Sequence, residues 1–236
     1  MAAPATAHAG RTFYGWLYGT EVMPERGAEI QTWVSDESDL KDEGHADETN
    51  WFLMPAIGIT DQLELVLPVQ FTWAKVPGAM PETQTALESY GAEIRYRMVT
   101  QDPVDAPPFA PLVRVALKRL VTDRETLQPE ADIVMSYQQG VFHGLVDLGT
   151  IGQISQDTQH FEIHPGAGVS IEVVDALRVG AEVYAELMLD DHSGSTWAVV
   201  GPNMAWSHGR SWISASFGVG VYNITDTGRL QWGIAF

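Results

Sequence analysis

Hydrophobic and polar residues alternate along most of this chain, and the longest uninterrupted example runs from Leu177 to Leu189. Every second residue in that run is apolar, while Arg178, Glu182 and Glu186 lie among the residues between. Because successive side chains of a β-strand point to opposite faces, this pattern predicts a strand with one apolar and one polar face. The run is longer than the roughly 5–6 residues of a typical globular strand, and it fits a tilted strand that crosses a bilayer.

The same alternation predicts about twelve strands in total, an even number that is typical of single-chain bacterial barrels. Tight turns alternate with longer, mostly acidic connections, as they do at the two ends of an outer-membrane barrel. The pattern therefore predicts an all-β fold, a closed antiparallel up-and-down transmembrane β-barrel, with a soluble β-sandwich as the alternative. The predicted strands span 27–38, 48–60, 62–75, 86–99, 108–120, 129–138, 141–153, 159–173, 176–189, 195–207, 210–222 and 228–236.

The last predicted strand ends on a C-terminal aromatic residue. Trp232, Ile234 and Phe236 share one face of that strand. This ending resembles the C-terminal signal of bacterial outer-membrane β-barrel proteins, which the barrel-assembly machinery reads. The stretch from Glu21 to Gly27 is similar to the entry segment of uncharacterised, porin-like proteobacterial barrels of this size. The resemblance implies a location in the bacterial outer membrane, with outer-membrane lipid and the barrel-assembly machinery as partners.

Three parts of the chain differ in composition. Residues 1–9 are rich in small residues, and Ala7-His8-Ala9 matches the A-x-A form of a signal-peptidase site. We therefore expect either the tail of a signal peptide or a disordered start at 1–9. Residues 10–26 are rich in aromatic residues and are expected to form a periplasmic lip or a partial plug of the barrel. Residues 27–236 are expected to form the transmembrane β-barrel.

The overall charge of the chain restricts its partners. Acidic residues outnumber basic ones 31 to 13, which gives a net charge of -18. Nucleic acid is therefore not expected as a partner, because its binding depends on cationic contacts to phosphate. The chain has no cysteine, which excludes disulfides and thiolate metal sites. No stretch is apolar enough for a transmembrane helix, and no sequence motif indicates a cofactor or a structural metal.

Charged residues on the polar face of the strands are expected to line the lumen. The two sets of charges fall on different strands of the predicted barrel. This arrangement resembles the constriction of general porins, where opposed charges create a transverse field. The alternative is a salt-bridged lumen in which the charges satisfy one another. The predicted acidic wall consists of Glu162, Glu172, Glu182 and Glu186, and the predicted basic wall consists of Arg95, Arg97, Arg114 and Lys118.

Two pairs of inward carboxylates are expected to lie opposite each other across neighbouring strands. Counting back from the intervening turns sets Asp132 roughly opposite Asp147, and Glu162 roughly opposite Glu186. Close carboxylates disfavour joint ionisation, so such a pair would shift a pKa or hold a cation. Ca²⁺ and Mg²⁺ are the ions that oxygen ligands suit. Small residues at many inward positions favour an open passage.

These features predict an outer-membrane channel for passive diffusion of small polar or cationic solutes. The first alternative is a non-conducting structural or interaction barrel that anchors an envelope assembly through a protein partner. The second alternative is an outer-membrane hydrolase. Enzyme activity is not expected, because neither His143 nor His164 has a convincing serine partner, and Asp190-Asp191-His192 only superficially resembles the Asp-His pair of the outer-membrane proteases.

Overall fold

The chain folds as a closed antiparallel β-barrel. The computed structural model describes residues 12–102, 104–121, 123–190 and 196–236. One short 3₁₀ helix, Lys41–Glu43, interrupts the strands. The strands are β1 (Ala28–Leu40), β2 (Ala46–Thr60), β3 (Leu63–Val66), β4 (Val69–Lys75), β5 (Thr83–Arg97), β6 (Phe109–Leu120), β7 (Leu127–Gln139), β8 (Phe142–Ile154), β9 (Gln159–Val174), β10 (Leu177–Met188), β11 (Trp197–His208), β12 (Ser211–Tyr222) and β13 (Asp226–Ala235).

The strands pair in sequence order, except that β3 and β4 do not pair with each other, and β1 closes the barrel by pairing with β13. β3 and β4 both lie between β2 and β5, so together they form one position in a barrel of twelve strands. The predicted strand 62–75 is thus broken in two at Leu67-Pro68. Proline has no N–H for the ladder, which explains the break. The predicted twelve-stranded barrel is confirmed.

Most apolar side chains on the strands of this barrel face outward, and most charged ones face inward. On β6, Val115 and Leu117 are 53% and 54% exposed, whereas Arg114 and Lys118 are only 2% and 5% exposed. A continuous apolar exterior of this kind requires lipid around it. The soluble-sandwich alternative is therefore wrong, because a sandwich would bury this face between two sheets.

Tryptophans of outer-membrane barrels commonly form girdles at the membrane interfaces, and the tryptophans of this chain divide into two groups. Trp206 and Trp232 are exposed on the outer surface, as a girdle requires. Trp33, Trp197 and Trp212 instead point inward and are buried. These three do not belong to a girdle, because each falls on the inward face of its strand.

The two ends of the barrel differ in the length of their connections. The turns at Gly140-Val141 and Gly209-Arg210 contain two residues each, and both glycines adopt the positive φ that tight hairpins require. The connections at the other end are mostly longer. No helix within the described ranges is long and apolar enough to cross a membrane.

Candidate functional site in the barrel lumen

A non-strand segment occupies part of the lumen. Residues 12–23, here called the plug segment, contact inward-facing side chains on several strands. Its backbone has no sheet partner, and wall carboxylates accept its N–H groups instead. Glu182 accepts hydrogen bonds from the N–H groups of Gly15 (2.7 Å) and Trp16 (3.0 Å). Asp147 accepts one from Tyr18 at 3.0 Å. Buried peptide N–H groups need hydrogen-bond acceptors, and carboxylates are among the strongest acceptors that a protein offers.

Apolar residues of the plug segment pack against an apolar patch inside the barrel. Tyr14 and Leu17 are almost fully buried, in one cluster with inward residues of β6, β7 and β8. The Tyr14 hydroxyl lies 2.9 Å from His143 Nδ1. A patch of this kind on a lumen wall is suited to hold a protein segment rather than water. The inward members of the cluster on those three strands are Leu112, Val134 and Leu145.

Several inward glycines make room for the plug segment rather than for an open passage. A β-carbon at Gly168 would overlap the Tyr14 ring, and one at Gly166 would overlap Leu17. A β-carbon at Gly218 would come too close to the Trp16 ring. The expectation that small inward residues favour a passage is therefore wrong at these positions, because the space they leave is filled by the chain itself.

The predicted basic wall is paired with carboxylates. Arg114 contacts Asp132 and Glu130 at 2.5 Å each and Glu93 at 2.7 Å. Lys118 lies 2.6 Å from Glu130, and Arg95 pairs with Glu93 and Glu64. These three cations therefore meet four carboxylates. At this wall the charges satisfy one another, as the salt-bridged alternative describes.

The fourth basic residue, Arg97, serves the plug segment. Its Nη1 donates to the Thr20 carbonyl at 2.8 Å and lies 3.5 Å from Glu21. Thr20 also contacts the wall through its side chain, since its Oγ1 lies 2.7 Å from Ser136 Oγ. Arg97 and Ser136 thus fix the segment near the end of the barrel that carries the short turns.

The residues of the predicted acidic wall have three different surroundings. Glu182 binds the plug segment, as described above. Glu172 lies 3.2 Å from Arg178 of the neighbouring strand. Glu162 and Glu186 are partly buried and line a cavity of the lumen together with His164. They do not form one continuous surface, and a role in selectivity stays a prediction.

Both predicted carboxylate pairs are offset from the expected register. Asp132 faces Gly149 and Asp147 faces Val134, because the hairpin turns at Gly140-Val141 and shifts the pairing by two residues. Asp132 is bound to Arg114 instead. Glu162 faces Met188 rather than Glu186, because this hairpin turns at Asp175-Ala176.

A cavity of about 410 Å³ lies beyond the plug segment, toward the end of the barrel with the longer loops. We call this cavity the vestibule. Trp16 and Tyr18 of the plug segment line it. Its charged lining consists of Glu37, Glu48, Glu88, Glu130, Asp132, Asp147, Glu162, Glu186, Arg114, Lys118 and Arg229. Eight carboxylates against three cations make the vestibule acidic.

Sequence reasoning missed five charged residues of this lining, namely Glu37, Glu48, Glu88, Glu130 and Arg229. Arg229 packs over the Trp33 ring at 4.2 Å, and Glu130 bridges Arg114 and Lys118. Both could have been found by extending the alternation to the strand ends: Arg229 shares a face with Gln231, and Glu130 shares one with Asp132. The predicted motif at 190–192 cannot be placed, since residues 191 and 192 lie outside the described residues, as do residues 1–9.

No protein-family model and no curated protein matches this sequence. Solved structures do match its fold. An outer-membrane channel from Pseudomonas putida F1 superposes with a TM-score of 0.60 at 8% identity, covering 92% of this chain and 98% of that one. The β domain of the Bordetella autotransporter BrkA gives 0.58 at 11% identity, covering 90% and 100%. The KdgM porin in complex with disordered oligogalacturonate gives 0.53 at 8% identity, covering 89% and 99%.

These likenesses show the fold alone. Together with the apolar exterior, they identify the chain as a transmembrane β-barrel of the bacterial outer-membrane type. Within that class it is a twelve-stranded barrel with a peptide segment in its lumen.

Proposed function

We propose that this protein is an outer-membrane channel for small polar or cationic solutes and that the plug segment closes it in the conformation described here. The observation that carries the proposal is the acidic vestibule, which ends at Trp16 and Tyr18 of the plug segment. The fold likeness to a channel and a porin supports the same function class.

The charge of the vestibule favours cations. A cleft lined by one sign of charge within low-dielectric walls raises the local concentration of the opposite ion. Asp132 and Glu130 are neutralised by Arg114 and Lys118, so the carboxylates farther from these cations act most directly on a solute. Glu162 and Glu186 are the members of the predicted acidic wall to which we assign this role.

The plug segment is held in a way that permits release. Much of its polar attachment consists of backbone N–H groups bound to side-chain carboxylates, including Met23 to Glu64 at 2.7 Å. Water can replace such bonds when the segment moves, since peptide groups are well solvated in a wet lumen. Displacement of the segment would leave the space above Gly166 and Gly168 as a passage.

Conductance tests this proposal. The refolded chain is placed in a planar bilayer with a KCl gradient, and the reversal potential gives the ion selectivity. We expect intermittent, cation-selective openings, with selectivity reduced in Glu162→Gln and Glu186→Gln. Glu172→Gln is the matched control, because Glu172 does not line the vestibule. A folded barrel that never conducts, or conducts without cation preference, would contradict the proposal.

A non-conducting interaction barrel is the second candidate, and the apolar packing of the plug segment favours it. Tyr14 and Leu17 are buried as in a protein core, so the segment could be a permanent part of the barrel. A complete absence of conductance together with a stable envelope partner would support that function. The absence of enzyme activity stays a prediction.

The C-terminal residues keep their predicted role as an assembly signal. Trp232, Ile234 and Phe236 are 36%, 48% and 66% exposed on the outer surface. β13, which carries the first two, joins the closing strand pair with β1. We propose that the barrel-assembly machinery binds this strand before the barrel closes.

A further inference from the structure

Three side chains with metal-binding groups converge on one wall of the vestibule. Glu162 and His164 point inward from β9, and Glu186 points inward from β10. One ligand atom of each lies within 4.8 Å of the others. We propose that this cluster, called here the vestibule triad, binds a single divalent transition-metal ion such as Zn²⁺. The proposal does not depend on whether the barrel conducts.

The donor set indicates the class of metal. Two carboxylates balance the charge of a divalent ion, and an imidazole favours zinc, copper or nickel over calcium and magnesium. Zinc bonds to imidazole nitrogen and carboxylate oxygen are about 2.0–2.2 Å long. The three ligand atoms already lie within 4.8 Å of one another, and metal binding would draw them closer together. The vestibule leaves room for water or a solute to complete the coordination.

Unsatisfied polar atoms beside the triad provide a second observation. Asp147 is only 6% exposed, lines the same cavity, and its Oδ1 has no hydrogen-bond partner among the described residues. It lies two residues along β8 from Gly149, which faces His164. His164 Nε2 is 3.0 Å from Glu162 Oε1 but is not aligned for a hydrogen bond. A cation bound by the triad would give His164 Nε2 a partner, and its charge would also stabilise the Asp147 carboxylate on the neighbouring strand.

Tyr184 positions two members of the triad. Its ring contacts the His164 ring edge-on, with centroids 5.9 Å apart. Its hydroxyl donates to Glu186 Oε1 at 3.4 Å. Groups that orient metal ligands in this way typically contribute about 10–100-fold to metal affinity. Tyr184 is thus a positioning residue for the metal site.

Zinc titration of the full-length barrel tests the inference. Isothermal calorimetry with ZnCl₂ on the refolded protein in detergent should give one site per chain. We expect His164→Ala to lower the affinity by at least about tenfold, and Tyr184→Phe to lower it by a similar factor. His208→Ala is the matched control, since His208 lies exposed at a hairpin turn. Heat-modifiable migration on a gel confirms that each variant is folded.

Any one of three results would overturn the inference. The first is no zinc binding by the folded protein, and the second is a zinc affinity of His164→Ala equal to that of the unsubstituted protein. The third is displacement of zinc by equimolar Ca²⁺, which would indicate a site for hard ions only. The calorimetric result is separate from the channel test. A barrel that binds zinc without conducting would refute the proposed function alone, and a conducting barrel without zinc binding would refute the metal site alone.

Discussion

Replacement of Glu182 by glutamine should release the plug segment. Both carboxylate oxygens of Glu182 accept N–H groups of the segment, from Gly15 and from Trp16. Glutamine has only one acceptor oxygen, so one of these N–H groups would face the amide NH₂ instead. A hydrogen bond to a charged group contributes about 1.5–3 kcal/mol, and a buried donor without a partner adds a similar cost.

We therefore expect the Glu182→Gln substitution to weaken attachment of the plug segment by about 3 kcal/mol. This corresponds to a shift of roughly 100-fold toward the released state. Single-channel recording measures the shift as a rise in the open fraction. The barrel itself should keep its stability, because the β10 ladder does not involve this side chain.

Glu186→Gln is the matched control for this prediction. It removes one lumen charge on the same strand, but the described structure gives Glu186 no hydrogen bond to the plug segment. The control should change selectivity and leave the open fraction unaltered. An open fraction that stays unchanged in Glu182→Gln, or rises equally in both variants, would refute the reasoning.

Two further predictions concern stability and assembly. Arg114→Ala leaves Glu93, Glu130 and Asp132 without their shared cation and should lower the free energy of unfolding by about 3–5 kcal/mol. Urea unfolding followed by tryptophan fluorescence measures this change. The control is Arg119→Ala, which should have little effect because Arg119 is exposed. Phe236→Ser should reduce insertion into the outer membrane in cells while refolding into detergent stays normal, and equal insertion would contradict the assembly role.

The fold could be predicted because residues of a membrane-barrel strand alternate between an apolar and a polar environment with a period of two. Lipid and lumen alternate along every strand, so Arg114 and Val115 take opposite environments. The strand predicted at 62–75 is broken at Pro68, because proline has no N–H for the ladder. Girdle positions were harder to predict, because Trp212 and Trp206 both lie near strand ends and only their faces differ.

The contents of the lumen could not be predicted in the same way. Alternation assigns Glu182 and Gly168 to the inner face but does not say what they contact. Their partners, Gly15 and Tyr14, lie more than a hundred residues away and in no regular element. Register also depends on single residues at turns. The two-residue turn at Gly140-Val141 was enough to separate Asp132 from Asp147.

The most direct test of the account is a covalent lock between the plug segment and the barrel wall. Thr20 Oγ1 and Ser136 Oγ are 2.7 Å apart, so cysteines at these positions can form a disulfide of about 2.05 Å after small shifts. The chain has no other cysteine. Conductance of the Thr20→Cys/Ser136→Cys protein is then recorded under oxidising conditions and again after reduction, with each single-cysteine variant as a control.

If the plug segment closes the channel, the oxidised double variant should be silent, and reduction should restore openings like those of the unsubstituted protein. The single variants should conduct under both conditions. Undiminished conductance in a verified disulfide-locked barrel would show that ions pass beside the segment and would contradict the central claim.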